Sequence, residues 1–503
     1  MRPAVHVARG ASFLFIQSLV TAIVGAAGFG IIARLMTKTE MGVYVTLNLV
    51  FALVQIGASF ALSSAAVKFI AELRGQNEQK RAAGVAFQIL RFTFIGSVVS
   101  GSLVFLFSTQ ICYLLTKTTG YVEVFKILAL DLVFAGVLPS LIGIMKGLQK
   151  MKELAGLNIV AYTIGKVLSI AFLLLNLGLW GVVLGSLIGD LCGFSLFSGY
   201  ILRSCGTPSF GFSLKRILSF SWPIYLSSWA GFGYSWFDRA LLVAYVPLAE
   251  VGVYNVAATA FGVMASIPSA ISTALFPKYS ELQGRDGMRS LEKAVRTASR
   301  YVSYVVIPLA VGLAATARPT ISLFAGRAYE MGASPLAILS LFGAAACVGA
   351  SLSEIFSIAE RTKVYALLTL IVVSVSISLG LIVLPLAGLL GAAIVRGVSM
   401  ALGLLMMVAV LRRMRLFRVD FDLEALWKSW FASLAMAVAV LFLQEVWYSK
   451  YLLPIYVLAG GVVYLVMLRI LRAVRAHDVH LVKAFVGRRW GRMVDRAGSF
   501  LVS

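Results

Sequence analysis

A chain of 503 residues in which 60% of side chains are hydrophobic and only 13% charged is not an ordinary soluble globule, whose charged share is about a quarter. It reads as a multi-pass membrane protein. The formal charge of +23 would suggest nucleic acid in a soluble domain, so the basic residues have to be located before they are interpreted.

Taken in chain order, fourteen apolar runs meet the roughly 20-residue length of a spanning helix. They cover 11–35, 42–67, 82–108, 123–148, 155–176, 179–202, 217–247, 251–276, 295–317, 334–358, 364–384, 388–411, 425–445 and 451–471. The first is too long for a signal-peptide core of about 7–15 residues and is expected to stay as span 1. Lys and Arg alternate sharply between loops. The N-terminus, every second loop and the tail hold 33 of them, the intervening loops only seven. By the positive-inside rule both termini are cytoplasmic. The excess charge is therefore an orientation signal, and nucleic-acid binding is excluded.

Cys112, Cys192, Cys205 and Cys347 show no C-x-x-C spacing, and His6, His477 and His480 lie outside the apolar runs. No metal site or disulfide framework is expected.

An internal repeat organises the chain. Glu40-Met41-Gly42-Val43-Tyr44 returns as Glu250-Val251-Gly252-Val253-Tyr254, an offset of 210. Lys68-Phe69 answers Lys278-Tyr279 at 210, Arg91-Phe92 answers Arg300-Tyr301 at 209, and the loop Gln149–Lys152 answers Glu360–Lys363 at 211. Six spans are thus repeated as six. Such duplication is the usual construction of a secondary transporter, with the substrate path between the repeats. The expected organisation is an N-lobe over 1–205, a C-lobe over 206–412, two added spans over 413–471, and a basic amphipathic cytoplasmic tail over 472–503. In the tail Val482, Phe485, Trp490 and Met493 recur at helical spacing opposite Lys483, Arg488, Arg489 and Arg492, a pattern that suits anionic headgroups; a partly disordered tail is the alternative.

The basic N-terminal segment, E-x-G-x-Y after spans 1 and 7, the stretch Leu214-Lys215-Arg216-Ile217-Leu218-Ser219-Phe220-Ser221-Trp222-Pro223 and the later Asp238-Arg239 together resemble the polysaccharide and lipid-linked oligosaccharide flippases. Their superfamily also holds the multidrug and toxin extrusion antiporters and the lipid II flippases. The resemblance covers nearly the whole chain. It implies an all-α polytopic fold with two pseudo-symmetric six-helix lobes, set as an inverted V around a central cavity. The implied activity is alternating-access transfer of a sugar chain on a polyprenyl or dolichyl phosphate or diphosphate to the outer leaflet of the cytoplasmic membrane. The implied partners are the lipid-linked oligosaccharide, membrane lipids and glycan-assembly enzymes; coupling to H⁺ or Na⁺ is left open and no other cofactor is implied. The alternative is a cation-coupled multidrug antiporter of the same fold. Those resembling proteins place an acid in span 1 or a central span, whereas spans 1, 2 and 8 here contain neither Asp nor Glu. A membrane glycosyltransferase or polymerase would need an acidic metal-binding motif or a large extramembrane domain, and the sequence has neither.

Charged residues present in both copies read as scaffold; those present once are better substrate candidates. The unduplicated ones within spans are Asp131, Lys166, Asp190, Asp238, Arg239, Glu354 and Arg396. A charge at the bilayer centre costs roughly 2.5–3.5 kcal/mol on insertion scales, so each needs water, a partner or a ligand. Lys166 and Asp190 both fall near the midplane, at about 1.5 Å per residue. They either pair with each other or face a cavity, Lys166 then binding phosphate and Asp190 a proton or cation. Arg396, Arg239 and Arg34 are further cations for the path, and Asp238 a second proton or cation candidate, with a local Asp238–Arg239 pair and an interfacial Arg34 as the bland alternatives. Trp222, Tyr225, Trp229, Phe232 and Trp236 form one stripe on span 7; Tyr225, Trp229 and Trp236 are expected to stack on sugars, or else to face lipid or pack against protein. Pro223 and Pro268 are the expected kink points.

Overall fold

The computed structural model describes residues 2–205, 208–209, 211–414 and 421–473. All but the first two residues of the expected basic tail lie outside them. The described elements are helices, without strands among the described residues. They fall into two compact units that meet between Asn255 and Val256.

The first unit begins with α1 (Arg2–Leu35), α2 (Lys38–Ser59), α3 (Leu62–Gly75), α4 (Gln79–Leu106) and α5 (Ser108–Thr116). It continues with α6 (Val122–Ala135), α7 (Leu138–Gly147), α8 (Met151–Leu174), α9 (Gly178–Ser204) and α10 (Leu214–Tyr245), and includes the start of α11 (Leu248–Asp286). Thr37 accepts from the Glu40 N–H while the Glu40 carboxylate accepts from the Thr37 N–H, a reciprocal capping box that fixes the start of α2. Span 2 is divided into α2 and α3 by Phe60 and Ala61, whose φ values of 45° and 53° are left-handed. The left-handed region costs a non-glycine residue on the order of 1 kcal/mol. The break turns the Phe60 ring onto Tyr225 of α10, with centroids 4.5 Å apart. Neither Pro223 nor Pro268 ends its helix; the sharp breaks lie elsewhere.

The hairpin of α8 and α9 is held by small residues. Gly181, Gly185, Gly189 and Gly193 recur every fourth position of α9 and face Phe172, Ser169, Gly165 and Ala161 of α8. Within a membrane, where apolar burial against lipid supplies little, such close backbone approach is what drives helix pairing. Ser169 Oγ donates to the Val182 carbonyl across the pair at 3.0 Å.

The second unit carries the rest of α11, then α12 (Met288–Ala315), α13 (Ala317–Phe324), α14 (Ala333–Val348), α15 (Leu352–Ile358), α16 (Thr362–Arg413), α17 (Leu423–Val446) and α18 (Leu453–Ile470). α16 is 52 residues long but is interrupted at Gly388, with φ 49° and ψ −127°. The Ser376 and Ser399 hydroxyls meet at 2.6 Å, so its two arms fold back on each other and supply two spans. Twelve helical stretches are long and apolar enough to cross a membrane among the described residues, α16 being one of them. α10 is not among the twelve because its many aromatic and polar side chains lower its hydropathy, yet its 32 residues reach about 48 Å at 1.5 Å per residue. Counting α10 once and α16 twice recovers the fourteen spans expected from the sequence. α17 and α18 pack on α12 through a cluster that includes Ile307, Val311, Met436, Tyr456 and Tyr464.

Candidate functional site

The glycine crossing of α8 and α9 positions the central feature of the first unit. Lys166 follows Gly165 and Asp190 follows Gly189, so a close backbone contact of the pair carries an amine and a carboxyl on its flank. Both line a cavity of about 190 Å³. Its polar wall consists of Tyr44 and Asn48 of α2, Asp131 of α6, Tyr162 and Lys166 of α8, and Ser186 and Asp190 of α9; Leu47, Phe51, Leu128, Ala161 and Val183 complete it. α1 approaches this site through two glycines. A methyl group on Gly28 would stand 3.6 Å from Lys166 Cδ, and one on Gly25 would stand 2.6 Å from Tyr162 Oη.

Lys166 has no carboxylate within 4.0 Å among the described residues. Its Nζ lies 5.8 Å from the centroid of the Tyr162 ring, and Tyr44 and Asp190 line the same cavity. Of the two arrangements the sequence left open, a closed pair or a cavity site, the structure shows both groups on the cavity wall without a salt bridge between them. Asp131 is 3% exposed, and its Oδ1 is buried without a hydrogen-bond partner. It lines the same cavity as Asp190.

The duplicated motif separates into parts with different tasks. Glu40 caps α2. Gly42 and Gly252 allow two backbones to meet: a methyl group on Gly42 would overlap the Leu248 carbonyl, and one on Gly252 would overlap the Lys38 carbonyl and stand 2.9 Å from the Gly42 nitrogen. The tyrosines diverge. Tyr254 is buried and donates to Asp238 Oδ2 at 2.7 Å, whereas Tyr44 lines the cavity. At the same offset of 210 the counterpart of Asp238 is Gly28, which makes room for the Lys166 stem. The halves differ at the place where the cavity forms.

The remaining sequence candidates are dispersed. Asp238 is 2% exposed; besides the Tyr254 hydroxyl it accepts the Arg239 backbone N–H at 2.9 Å. Arg239 Nε donates to Asn255 Oδ1 at 3.0 Å, one terminal nitrogen donates to the Ser235 carbonyl at 3.1 Å, and the guanidinium lies over the Trp236 ring. Local pairing therefore describes Asp238 and Arg239. Arg34 is exposed at the end of α1, and Arg396 is half-buried on the second arm of α16 in the other unit. The stripe on α10 is a continuous ladder: Trp222, Tyr225, Trp229, Phe232 and Trp236 follow one another with ring centroids 5.9–6.5 Å apart. Trp222 and Trp229 are exposed along it. Tyr44, Asn48, Tyr162 and Ser186 are cavity residues that sequence reasoning did not select, and Asp131 was noted as an intramembrane acid without a role. The signal available for them was the pairing of Gly-Lys on one span with Gly-Asp on the next.

Residues 31–334, more than half of the chain, match the profile of a family described as polysaccharide biosynthesis protein. The chain belongs to the polysaccharide biosynthesis protein family. This agrees with the resemblance read from the motifs. Residues 251–465 of this family member also match the profile of lipid II flippase MurJ. A curated relative, "Probable low-salt glycan biosynthesis flippase Agl15" of Haloferax volcanii, is 24% identical over 408 residues, covering 78% of this chain and 81% of that protein. Among solved structures, lipid II flippase MurJ in an inward closed conformation has a TM-score of 0.73 at 18% identity, covering 90% of this chain and 97% of that one. An inward-facing multidrug resistance MATE family transporter of the MOP superfamily has a TM-score of 0.62 at 16% identity, covering 81% and 99%. At these identities the likeness to both is one of fold.

Proposed function

We propose that this polysaccharide biosynthesis family member is a flippase. It carries a lipid-linked oligosaccharide, a glycan on a polyprenyl or dolichyl phosphate or diphosphate, from the cytoplasmic to the outer leaflet of the cell membrane by alternating access. The observation that carries this reading is Lys166, an intramembrane ammonium on the wall of a cavity of about 190 Å³, with no ion-pair partner among the described residues. An intramembrane cation marks a substrate path by default, and phosphate oxygens are the ligands that such a cation takes. The names of the Haloferax volcanii relative and of the MurJ family, both flippases, point the same way.

In this reading residues 1–205 and 206–412 form the two lobes, 413–471 two added spans and 472–503 a cytoplasmic tail, with both termini cytoplasmic. Lys166 receives phosphate, while Arg396, Arg239 and Arg34 supply further positive charge on the path. Tyr225, Trp229 and Trp236 offer ring faces to sugars. Asp190, together with Asp131, is the place for a coupling proton or Na⁺; Asp238 serves less well because Tyr254 and Arg239 already hold it. The presence of two acids, Asp131 and Asp190, in one intramembrane cavity also favours a cation-coupled multidrug antiporter. Glycan-assembly enzymes are the expected partners downstream.

Depletion of the protein in its native cell tests the reading. A lipid-linked glycan should accumulate on the cytoplasmic leaflet. Normal glycan export with accumulation of cationic drugs instead would replace the flippase by the antiporter.

A further inference from the structure

The repeat allows the outer faces of two equivalent helices to be compared, α4 in the first unit and α12 in the second, each within its own unit. On α12 this face is covered by the two added spans. Ser429 Oγ donates to the Ser303 carbonyl at 3.1 Å, Tyr464 Oη to the Tyr304 carbonyl at 2.9 Å, and Gln444 Nε2 to the Ala315 carbonyl at 3.0 Å. At one end of the same face Arg300 lies 3.8 Å from the Asp422 carboxylate and donates to the Ala473 carbonyl at 3.4 Å. Asp422 immediately precedes α17 and Ala473 follows α18, so Arg300 stands at the level where those two spans leave the membrane.

On α4 the offset of 209 maps Ser303, Tyr304, Gly312 and Ala315 onto Phe94, Ile95, Leu103 and Leu106. All four are exposed, Ile95 at 52% and Leu106 at 71%. No helix covers this face among the described residues of its unit. Arg300 maps onto Arg91, which is exposed and has no ion pair, hydrogen bond or ring contact among the described residues. The same apolar stripe ending in the same guanidinium is thus closed by protein in one repeat and open in the other.

We propose that the α4 face binds an acidic phospholipid, whose phosphate sits on Arg91 where Asp422 sits on Arg300, and whose acyl chain lies along Ile95, Leu103 and Leu106. Charge complementarity selects this occupant. An arginine at the membrane boundary reaches the headgroup layer with its fork, an anionic lipid supplies the missing negative charge, and the exposed aliphatic stripe matches an acyl chain. The site is separate from the Lys166 cavity and does not depend on what the protein transports.

Native mass spectrometry of the full chain in neutral detergent, titrated with phosphatidylglycerol or with phosphatidylcholine of the same acyl chains, tests it. Wild type should retain phosphatidylglycerol preferentially. Arg91→Gln should lower that preference about fivefold, the effect of one basic residue near a lipid surface, and Arg91→Lys should keep most of it. Arg300→Gln, whose counter-charge belongs to the chain itself, should lower Tm and leave the preference unchanged. Equal retention of the two lipids by wild type, or an undiminished preference in Arg91→Gln, would overturn the proposal. So would loss of a dimer in Arg91→Gln in place of lost lipid, since the face would then be covered by a second copy.

Discussion

Gly165 of α8 and Gly189 of α9 touch backbone to backbone: a methyl group on Gly189 would stand 2.6 Å from the Gly165 Cα, and one on Gly165 would stand 3.2 Å from the Gly189 Cα. The following residue on each helix is the charged one, Lys166 and Asp190, so the closeness of the crossing sets the spacing of the charges. Gly189→Leu should separate the helices and destabilise the protein by about 1–3 kcal/mol, the usual range for overpacking, with loss of transport. Gly199→Ala, on the same helix with nothing within 4 Å, should leave Tm unchanged or slightly raised, since alanine favours a helix interior by roughly 0.5–1 kcal/mol. Thermal unfolding of the two purified variants gives the comparison; equal Tm values would remove the crossing from the account.

The meeting of the duplicated turns makes a parallel demand. Gly42→Ala should lower Tm by several degrees because its methyl group would enter the Leu248 carbonyl, whereas Gly57→Ala, which faces open space, should not. A Gly42→Ala protein as stable as wild type would mean that the two turns do not pack this way.

Asp238 and Tyr254 form a buried charge-assisted hydrogen bond of 2.7 Å. Asp238→Asn and Tyr254→Phe should each cost about 1.5–3 kcal/mol, and the double variant should cost less than the sum of the two. Additive losses in a double-mutant cycle would show that the two residues act independently.

Asp131→Asn and Asp190→Asn each remove an ionisable acid from the cavity while preserving shape. Leaflet transfer in the absence of a gradient should persist in both. Its stimulation by an imposed proton or Na⁺ gradient, measured in proteoliposomes, should disappear. Unchanged gradient stimulation in both variants would place coupling elsewhere.

Trp229 is exposed along the aromatic ladder, so Trp229→Ala should leave Tm nearly unchanged. If its indole stacks on sugar, transfer of a lipid-linked oligosaccharide should fall roughly two- to tenfold, the equivalent of about 0.5–1.5 kcal/mol for an aromatic contact. A lipid-linked monosaccharide, too short to reach the ladder, should be moved as by wild type. Equal effects on both substrates would return the stripe to a packing role.

Much of the architecture was legible because a membrane allows few solutions. Hydropathy marked the spans and the repeat linked the halves; even α10, which falls below a strict apolar measure, was found as an apolar run of spanning length. The break at Phe60–Ala61 was not legible, because neither residue is a turn former; the break is held by the Phe60–Tyr225 stack, a contact distant in sequence. The site was half legible. Lys166 and Asp190 stood out as lone charges in apolar runs, but nothing in the sequence distinguishes Tyr44 from its duplicate Tyr254. Only packing reveals that Tyr254 bonds an aspartate while Tyr44, in the copy that carries Gly28 at the aspartate's position, opens onto a cavity. Asp238 and Arg239 looked like ligands for the same reason as Lys166, and their partners, Tyr254 and Asn255, sit sixteen residues away on the next helix.

The most direct test is leaflet transfer by purified protein in liposomes loaded with a lipid-linked oligosaccharide, comparing wild type with Lys166→Gln. Wild type should move the lipid faster than protein-free liposomes, and Lys166→Gln should lose at least tenfold of that rate with Tm retained. Transfer by Lys166→Gln at the wild-type rate would contradict the account.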